Sequence, residues 1–321
     1  MLRRVFEYFI SPSTRAFWRE SRRSGQSFAE FLHGYIYLRW PYFYISVGKG
    51  THPLSRWLTE PLSHIANKLG LWREDSPQRG SGGFADTYHG KAMRPESTRK
   101  LLSVGRRIEV PDLETVIPYS MARAIILQHP EHIALLQCPC RMAEESPCTP
   151  VDVCLIVGEP FSSFILEHHA DKARRITPEQ AIEVVRQENR RGHVSHAFFK
   201  EALLGRYYAI CNCCACCCGA MRAHFNGIPM LAPSGYLAQV NTDACTGCGL
   251  CEKKCQFRAI HVQQGSAAVS KSSCMGCGIC EQLCPSKAVH LVRCPEKGTP
   301  LEIDEILSAT GRSSKHAHTQ R

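Results

Sequence analysis

The chain has 321 residues, enough for two modest domains, and its 44% hydrophobic content is typical of a folded protein rather than a disordered one. All 19 cysteines lie between Cys138 and Cys294, and the N-terminus carries no recognisable signal peptide. This pattern excludes a small secreted disulfide scaffold and indicates a reducing, cytoplasmic compartment, where dense cysteine usually binds metal. The formal net charge is +10, and no apolar run reaches the length of about 18 residues that a membrane span needs.

Residues 1–73 form a basic, aromatic region, predicted to be helical or irregular, with its densest stretch in FLHGYIYLRWPYFYISVGKG. Arg39 and Pro41 exclude a spanning helix there. Two interpretations remain open: an arm packed on its own core or on a partner, or peripheral contact with a membrane surface, where aromatic rings and arginines suit the interface. We expect no nucleic-acid partner, because no recognition motif accompanies the charge.

Residues 74–100 are rich in Gly, Ser, Pro and charged residues and are predicted to be a linker. Residues 101–232 show a mixed α/β pattern, with apolar strand-like runs at 132–137, 151–158 and 206–210. The segment from Thr177 to Gly192 predicts a helix, with Thr177 and Gln180 as a capping box and the glycine as its stop. Two of the three strands end in cysteines, and strand ends are where α/β folds usually build sites.

The C-terminal part contains an internal repeat. ACTGCGLCEKKCQFRAIHV, starting at Ala244, aligns with SCMGCGICEQLCPSKAVHL, starting at Ser273, and each copy reads C-x2-C-x2-C-x3-C. Zinc sites also use C-x2-C pairs, but they do not require a third x2 step followed by x3-C. The spacing therefore indicates iron–sulfur ligation, with glycines that let the backbone turn and direct N–H groups at sulfur.

The repeat resembles the bacterial-type two-cluster [4Fe–4S] ferredoxins, and we place this module at residues 236–294, followed by a polar tail at 295–321. The resemblance implies that the fourth cysteine of each copy ligates the other cluster. It implies Cys245, Cys248, Cys251 and Cys284 for cluster one, and Cys274, Cys277, Cys280 and Cys255 for cluster two. One departure from the family is Gln256, which follows Cys255 where the second copy carries Pro285.

Ten cysteines remain in the α/β unit, six of them within Cys211–Cys218. We predict a possible third iron–sulfur site, with Arg141 and Arg222 compensating its charge. Its candidate ligands are Cys138, Cys140, Cys148, Cys154, Cys213, Cys214 and Cys217. A zinc or other structural thiolate site, redox-active thiols and buried structural cysteines remain as alternatives. The histidines His168, His169, His193 and His196 are more typical of surface or capping positions than of ligands.

The sequence thus predicts an α+β multidomain protein: a basic N-terminal arm, a Cys-rich α/β unit and a ferredoxin-like module with two [4Fe–4S] clusters. The predicted function is relay of single electrons to and from a redox partner protein. The alternative is an oxidoreductase whose Cys-rich unit holds a catalytic metal that the ferredoxin module supplies with electrons.

Overall fold

The computed structural model describes residues 10–55, 88–105, 108–111, 124–305 and 308. The N-terminal region forms three helices: α1 (Pro12–Arg23), α2 (Phe28–Arg39) and α3 (Pro41–Gly48). Ser11 caps α1, and Ser27 with Glu30 forms a capping box at the start of α2. Pro41 ends α2 and begins α3 because its fixed φ suits the first turn of a helix but not the interior.

The middle of the chain builds one eight-stranded sheet that is largely antiparallel. Its strands are β1 (Tyr88–Ala92), β2 (Ile108–Pro111), β3 (Ala124–Gln137), β4 (Asp152–Glu159), β5 (Ala173–Ile176), β6 (Val194–Lys200), β7 (Arg206–Cys213) and β8 (Leu231–Ala232). They lie in the order β2-β3-β4-β7-β6-β1-β8, and β5 pairs with β3. The helices of this unit are α4 (Pro95–Leu102), α5 (Pro139–Met142), α6 (Phe161–His168), α7 (Pro178–Arg191) and α8 (Gly219–Phe225).

The sheet is covered on both faces, and its central strands β4, β6 and β7 are buried at nearly every position. In β4, Leu155 and Val157 face a core formed with α4 and α7, whereas Cys154 and Ile156 face the opposite core. Phe17 of α1 is fully buried in that second core. The N-terminal helices thus lie on the face of the sheet that carries the cysteines.

The C-terminal module has the internal symmetry expected from its repeat. Its elements are β9 (Tyr236–Val240), α9 (Leu250–Lys254), β10 (Ile260–Gln263), β11 (Ser266–Val269), α10 (Ile279–Leu283), β12 (Val289–Arg293) and a 3₁₀ turn at Pro295–Lys297. β9 pairs with β12 and β10 with β11, both antiparallel. Each short helix follows a C-x2-C-x2 loop and ends at the fourth cysteine of its copy.

The structure confirms the predicted strands and the helix from Thr177 to Gly192, whose glycine adopts φ +97°. The interpretation of the N-terminal region as an arm packed on its own core holds for residues 10–55. Residues 1–9 and 56–87 lie outside the described residues, as does most of the predicted tail. Within the described part, no helix combines the length and the apolar content required to cross a bilayer.

The predicted linker at 74–100 differs from the structure wherever the structure describes it. Residues 88–92 are β1, which lies inside the sheet between β6 and β8, and residues 95–102 are α4. The charge of Lys91 suggested an exposed loop, but its side chain is buried. The predicted tail likewise contains buried Leu301 and Ile303, which join the core beneath α4.

Candidate metal centres

The first cysteine loop of the C-terminal module encloses a small pocket, which we call the first cradle. Gly247 has φ +62°, and a Cβ there would lie 2.5 Å from the carbonyl oxygen of Gly265, so only glycine fits. The N–H of Ala267 donates to Sγ of Cys245 at 3.4 Å, and the pKa of this thiol is lowered, first by the N–H of Gly247. N–H groups directed at sulfur favour the thiolate that an iron atom binds.

The second loop repeats this geometry in a more buried setting. Gly276 has φ +63°, and a Cβ there would lie 2.1 Å from the carbonyl oxygen of Tyr236. Cys274 is buried. Burial, followed by the charge of Cys280, raises the pKa of Cys277 well above its usual value.

Each fourth cysteine lies beside the loop of the other copy. Cys284 lines the first cradle together with Cys245, Cys248 and Cys251. The structure therefore brings together the four residues predicted for cluster one.

The residues predicted for cluster two are grouped in the same way. Burial, followed by the charges of Cys274 and Cys255, raises the pKa of Cys280 to about 12. Cys255 and Cys274 also act on Cys277. The cradles and the N–H groups aimed at sulfur fit the [4Fe–4S] groups that the resemblance implies.

Gln256 connects this module to the Cys-rich unit. Its side-chain oxygen accepts a hydrogen bond of 2.8 Å from the N–H of Ala215, within the six-cysteine segment. The next residue, Phe257, is buried and lies edge-on to His196 of β6, with ring centroids 6.1 Å apart. The departure from the ferredoxin pattern at Gln256 therefore lies at the contact between the two units.

Six cysteines of the α/β unit form a group on one face of the sheet, which we call the buried six; four of them are buried, and Cys140 and Cys211 are half-buried. Cys154 of β4 lies directly opposite Cys211 of β7, and Cys211 lies opposite His196 of β6. Cys213 shares the face of Cys211 because side chains two residues apart in a strand point the same way. The remaining members come from the N-termini of α5 and α8, so that the buried six are Cys138, Cys140, Cys154, Cys211, Cys213 and Cys218.

The thiols of the buried six form a continuous network. Sγ of Cys218 lies 3.3 Å from Sγ of Cys213. This contact, opposed by burial and assisted by the charge of His196, lowers the pKa of Cys213 to about 6. The pKa of Cys140 is also lowered, first by Cys138 and then by Cys218. The pKa of each of the other four thiols, Cys138, Cys154, Cys211 and Cys218, is raised, so the surroundings favour the thiolate form at two of the six positions.

The buried six line a cavity of about 610 Å³. Part of its wall comes from the N-terminal region, where Tyr37, Tyr44 and Lys49 face it. Nζ of Lys49 donates to the carbonyl oxygens of Cys140 and Cys217, each at 2.8 Å, and also pairs with Glu144. α3 and the residue that follows it therefore close the cavity and fix two cysteine-bearing segments.

The sequence prediction named Arg141 as a cation that compensates the charge of the third site. The structure places this buried side chain beside these thiols. Its Nη2 donates to Glu188 at 2.5 Å and to the carbonyl oxygen of Asn212 at 3.2 Å. Burial by itself lowers the pKa of Arg141, but Glu188 and the thiolates of Cys138 and Cys214 raise it overall. Arg222 lines the same cavity and pairs with Glu144 at 2.9 Å.

The other four cysteines of the unit form a tighter group, which we call the quartet: Cys148, Cys214, Cys216 and Cys217, of which Cys214 and Cys217 also line the cavity. All four sulfurs lie within 4.8 Å of one another. The seven residues predicted for a single third site are therefore divided between two groups. Cys138, Cys140, Cys154 and Cys213 belong to the buried six, and Cys148, Cys214 and Cys217 to the quartet.

Six of the seven predicted ligands, all except Cys148, line the same cavity, so the single third site stays a prediction. Within that lining, Sγ of Cys213 contacts Sγ of Cys218, whereas Cys214 and Cys217 belong to the quartet. The prediction also missed Cys211, Cys216, Cys218 and Lys49. Strand alternation with Cys213 could have identified Cys211, but no local signal marks Lys49.

The expectation that His196 is a surface or capping residue is wrong. It is fully buried and lies opposite Cys211 in the sheet. His193 is buried as well and contacts Glu188 at 2.7 Å. Nε2 of His169 donates a hydrogen bond of 2.8 Å to the carbonyl oxygen of Leu38.

Comparison with known proteins identifies the C-terminal module. The family model described as 4Fe-4S dicluster domain matches residues 244–288. No curated protein and no solved structure matches the chain. The protein thus combines helices and sheet with a C-terminal domain of the ferredoxin type that binds iron–sulfur cofactor.

Proposed function

We propose that this protein relays single electrons between a redox partner and a buried iron–sulfur centre. The observation that carries the proposal is the crossed grouping of the eight module cysteines, with Cys284 in the first cradle and Cys255 beside the second loop. The two sets would hold two [4Fe–4S] clusters, which supply one-electron chemistry when bound. The surrounding chain contributes N–H groups, burial and the contact with the Cys-rich unit.

The two cysteine loops of the module differ in solvent exposure, and this difference suggests the direction of the proposed relay. Cys248 is exposed and its loop packs away from the main cores, whereas Cys274 and Met275 are buried in the core shared with the sheet. A partner protein would dock at the first loop. The second loop lies on the side of the module that reaches the α/β unit through Gln256.

We propose that the buried six bind the third iron–sulfur centre predicted from the sequence. Their sulfurs are distributed around a cavity, and two of them have a lowered pKa. Arg141 provides positive charge beside them. Four of the six are sufficient for one cubane, and the other two would serve as additional or alternative ligands.

Iron and acid-labile sulfide in the anaerobically purified full chain test this proposal. Two cubanes give about eight irons per chain, and a third raises the count to about twelve. We expect Cys138→Ser with Cys213→Ser to remove about four irons and four sulfides. Cys294→Ser is the matched control, since this buried thiol lies after β12 and outside both groups. A wild-type count near eight that the double variant leaves unchanged would eliminate the third centre.

One observation favours the alternative of a catalytic centre. The cavity of about 610 Å³ beside the buried six falls within the range of about 300–1,000 Å³ that small-molecule sites occupy. A centre with an open coordination position would then face this space. Cyanide added to the reduced protein should change the EPR spectrum of that centre; an unchanged spectrum would favour a pure relay.

We also propose peripheral membrane contact through the N-terminal helices. Phe28, Leu32 and Ile36 lie four residues apart on α2 and are 63%, 41% and 37% exposed, and Trp40 continues the stripe at 47%. Arg39 stacks on Trp40, with 5.5 Å between its Cζ and the ring centroid. Apolar groups flanked by arginine suit an anionic bilayer surface.

Flotation with phosphatidylserine-containing vesicles tests this contact. Leu32→Glu with Ile36→Glu should abolish binding, because charge on the stripe opposes insertion. Met142→Glu is the control, since Met142 is similarly exposed at 43% but lies outside α2. Equal flotation of the wild type and the double variant would exclude this surface.

A further inference from the structure

The quartet has the compactness of a site for a single metal ion. Sγ of Cys148 lies 3.0 Å from Sγ of Cys216, and Sγ of Cys216 lies 3.6 Å from Sγ of Cys217. With metal–sulfur bonds of about 2.3 Å and tetrahedral angles, the sulfurs around one zinc ion stand about 3.8 Å apart. No two sulfurs of the quartet are more than 4.8 Å apart, which is close to the spacing around one zinc ion.

The two predicted cubane sites provide an internal comparison. Thiolates of a cubane bind four different iron atoms, so they lie farther apart than thiolates that share one ion. In the described part of the chain, two groups of potential ligands have all their ligand atoms within 4.8 Å of one another. One is the quartet, and the other is the largely exposed set His129, Glu131 and His132. Neither module loop and no subset of the buried six reaches the same compactness.

The quartet is also built as a closed ligand set. Cys148 comes from the loop between α5 and β4, and the other three come from the single turn between β7 and α8. Within that turn the backbone N–H of Cys218 donates to the carbonyl oxygen of Cys214 at 3.0 Å, and Nζ of Lys49 donates to the carbonyl oxygen of Cys217 at 2.8 Å. Hydrogen bonds of this kind fix the backbone that carries the ligands.

Positive charge next to the quartet matches the charge of such a site. Four thiolates and one divalent ion carry a net charge of −2. Arg141 is buried close enough to Cys214 for that thiolate to raise its pKa, and Lys49 holds the carbonyl of Cys217. Both cations also contact the segments of the buried six.

We propose that Cys148, Cys214, Cys216 and Cys217 bind one tetrahedral divalent metal ion, separate from the iron–sulfur centres. A closed set of four thiolates is typical of structural zinc, and a single iron shares the same chemistry. Binding releases the four thiol protons to solvent, and no electron is transferred. Because Cys213 and Cys218 flank the turn, the ion fixes the spacing of these two members of the buried six.

Metal analysis and zinc X-ray absorption on the anaerobic full chain test this site. We expect about one zinc per chain, surrounded by four sulfurs at about 2.3 Å. Cys148→Ser with Cys216→Ser should remove this zinc while the acid-labile sulfide stays at the wild-type value. Cys294→Ser should retain it. The absorption measurement on the wild type needs no variant, so it decides the question even if the double variant does not fold.

Other results identify the alternatives. One sulfide-free iron with a tetrahedral ferric EPR signal would place iron in the same mononuclear site. Loss of about four irons and four sulfides from the double variant would mean a cubane instead, which overturns the proposal. A Cys148–Cys216 disulfide in native protein without such an ion would overturn it as well. The eight irons of the module are counted separately, so failure here leaves the electron-transfer proposal intact.

Discussion

Gln256 shows how one residue distinguishes the first repeat from the second. The second copy carries Pro285 at the matching position. In the first copy, the glutamine oxygen accepts the N–H of Ala215 at 2.8 Å, a role that proline cannot fill. The residue that weakens the ferredoxin pattern therefore attaches the module to the Cys-rich turn.

Replacing Gln256 with Ala should loosen this turn without removing iron. The lost hydrogen bond is worth about 1 kcal/mol, which corresponds to roughly fivefold faster local opening. Native-state hydrogen exchange at the amide of Ala215 measures it directly. Gln263→Ala, at an exposed glutamine of β10, should leave that rate unchanged. If the amide exchanges equally in both variants, Gln256 does not hold the turn.

The pair between Arg141 and Glu188 is the second residue-scale test. Both side chains are only 1% exposed, and their closest N–O distance is 2.5 Å. Arg141→Gln removes the closest cation from a buried carboxylate that still contacts Arg191 at 3.1 Å and His193 at 2.7 Å, so we expect a loss of about 1–3 kcal/mol in unfolding free energy. Adding Glu188→Gln should restore part of the loss. Anaerobic urea unfolding of the two variants measures both effects, and additive losses would contradict a direct coupling.

At this scale the sequence predicts ligand type better than ligand grouping. The eight module cysteines follow from local spacing, because each loop brings its own three thiols together. The division of Cys213 from Cys214 depends instead on how the turn after β7 meets β4 and α5. His196 was equally hidden, since its burial beside Cys213 depends on the pairing of β6 with β7.

Helix α7 is the element that holds Glu188 beneath Arg141. The side chain of Thr177 accepts the N–H of Gln180 at 3.3 Å, and the N–H of Thr177 donates to the side chain of Gln180 at 3.0 Å. Thr177→Ala should cost about 1 kcal/mol of stability, because the backbone N–H of Gln180 loses its side-chain acceptor. Thermal unfolding measures the cost. Gln187→Ala, at an exposed position of the same helix, is the control. An equal loss of stability in this variant would show that the loss in Thr177→Ala does not come from the cap.

Element prediction succeeded where the local pattern and the tertiary environment agree. α7 carries an N-cap, an initial proline and a terminal glycine, so both ends of this helix could be predicted from the sequence. β1 has none of these features. Its sequence YHGKA becomes a strand because β6 and β8 pair with its two edges, and Gly90 allows the ring of Phe198 to pack against it.

On the scale of the whole molecule, the cysteine centres lie at increasing depth. The first loop of the module is outermost, the second packs against the shared core, and the buried six lie between the sheet and the N-terminal helices. The sequence allowed two roles for the basic N-terminal region, a packed arm or a membrane contact. In the structure its Tyr44 and Lys49 form part of the wall of the cavity that the buried six line. Composition alone could not reveal this role, because it depends on the position of α3 against α5.

This order of depth predicts the order in which iron is lost. A ferrous chelator added to the reduced, anaerobic protein should remove about four irons in a fast phase, since the loop of Cys248 is open to solvent. The later phases should be several-fold slower, because Cys274 and four members of the buried six are buried. Cys248→Ser should lower the starting iron content and eliminate the fast phase, whereas Cys294→Ser should keep it. Release in a single phase, or a fast phase that survives in Cys248→Ser, would show that the outer loop does not hold the most accessible cluster.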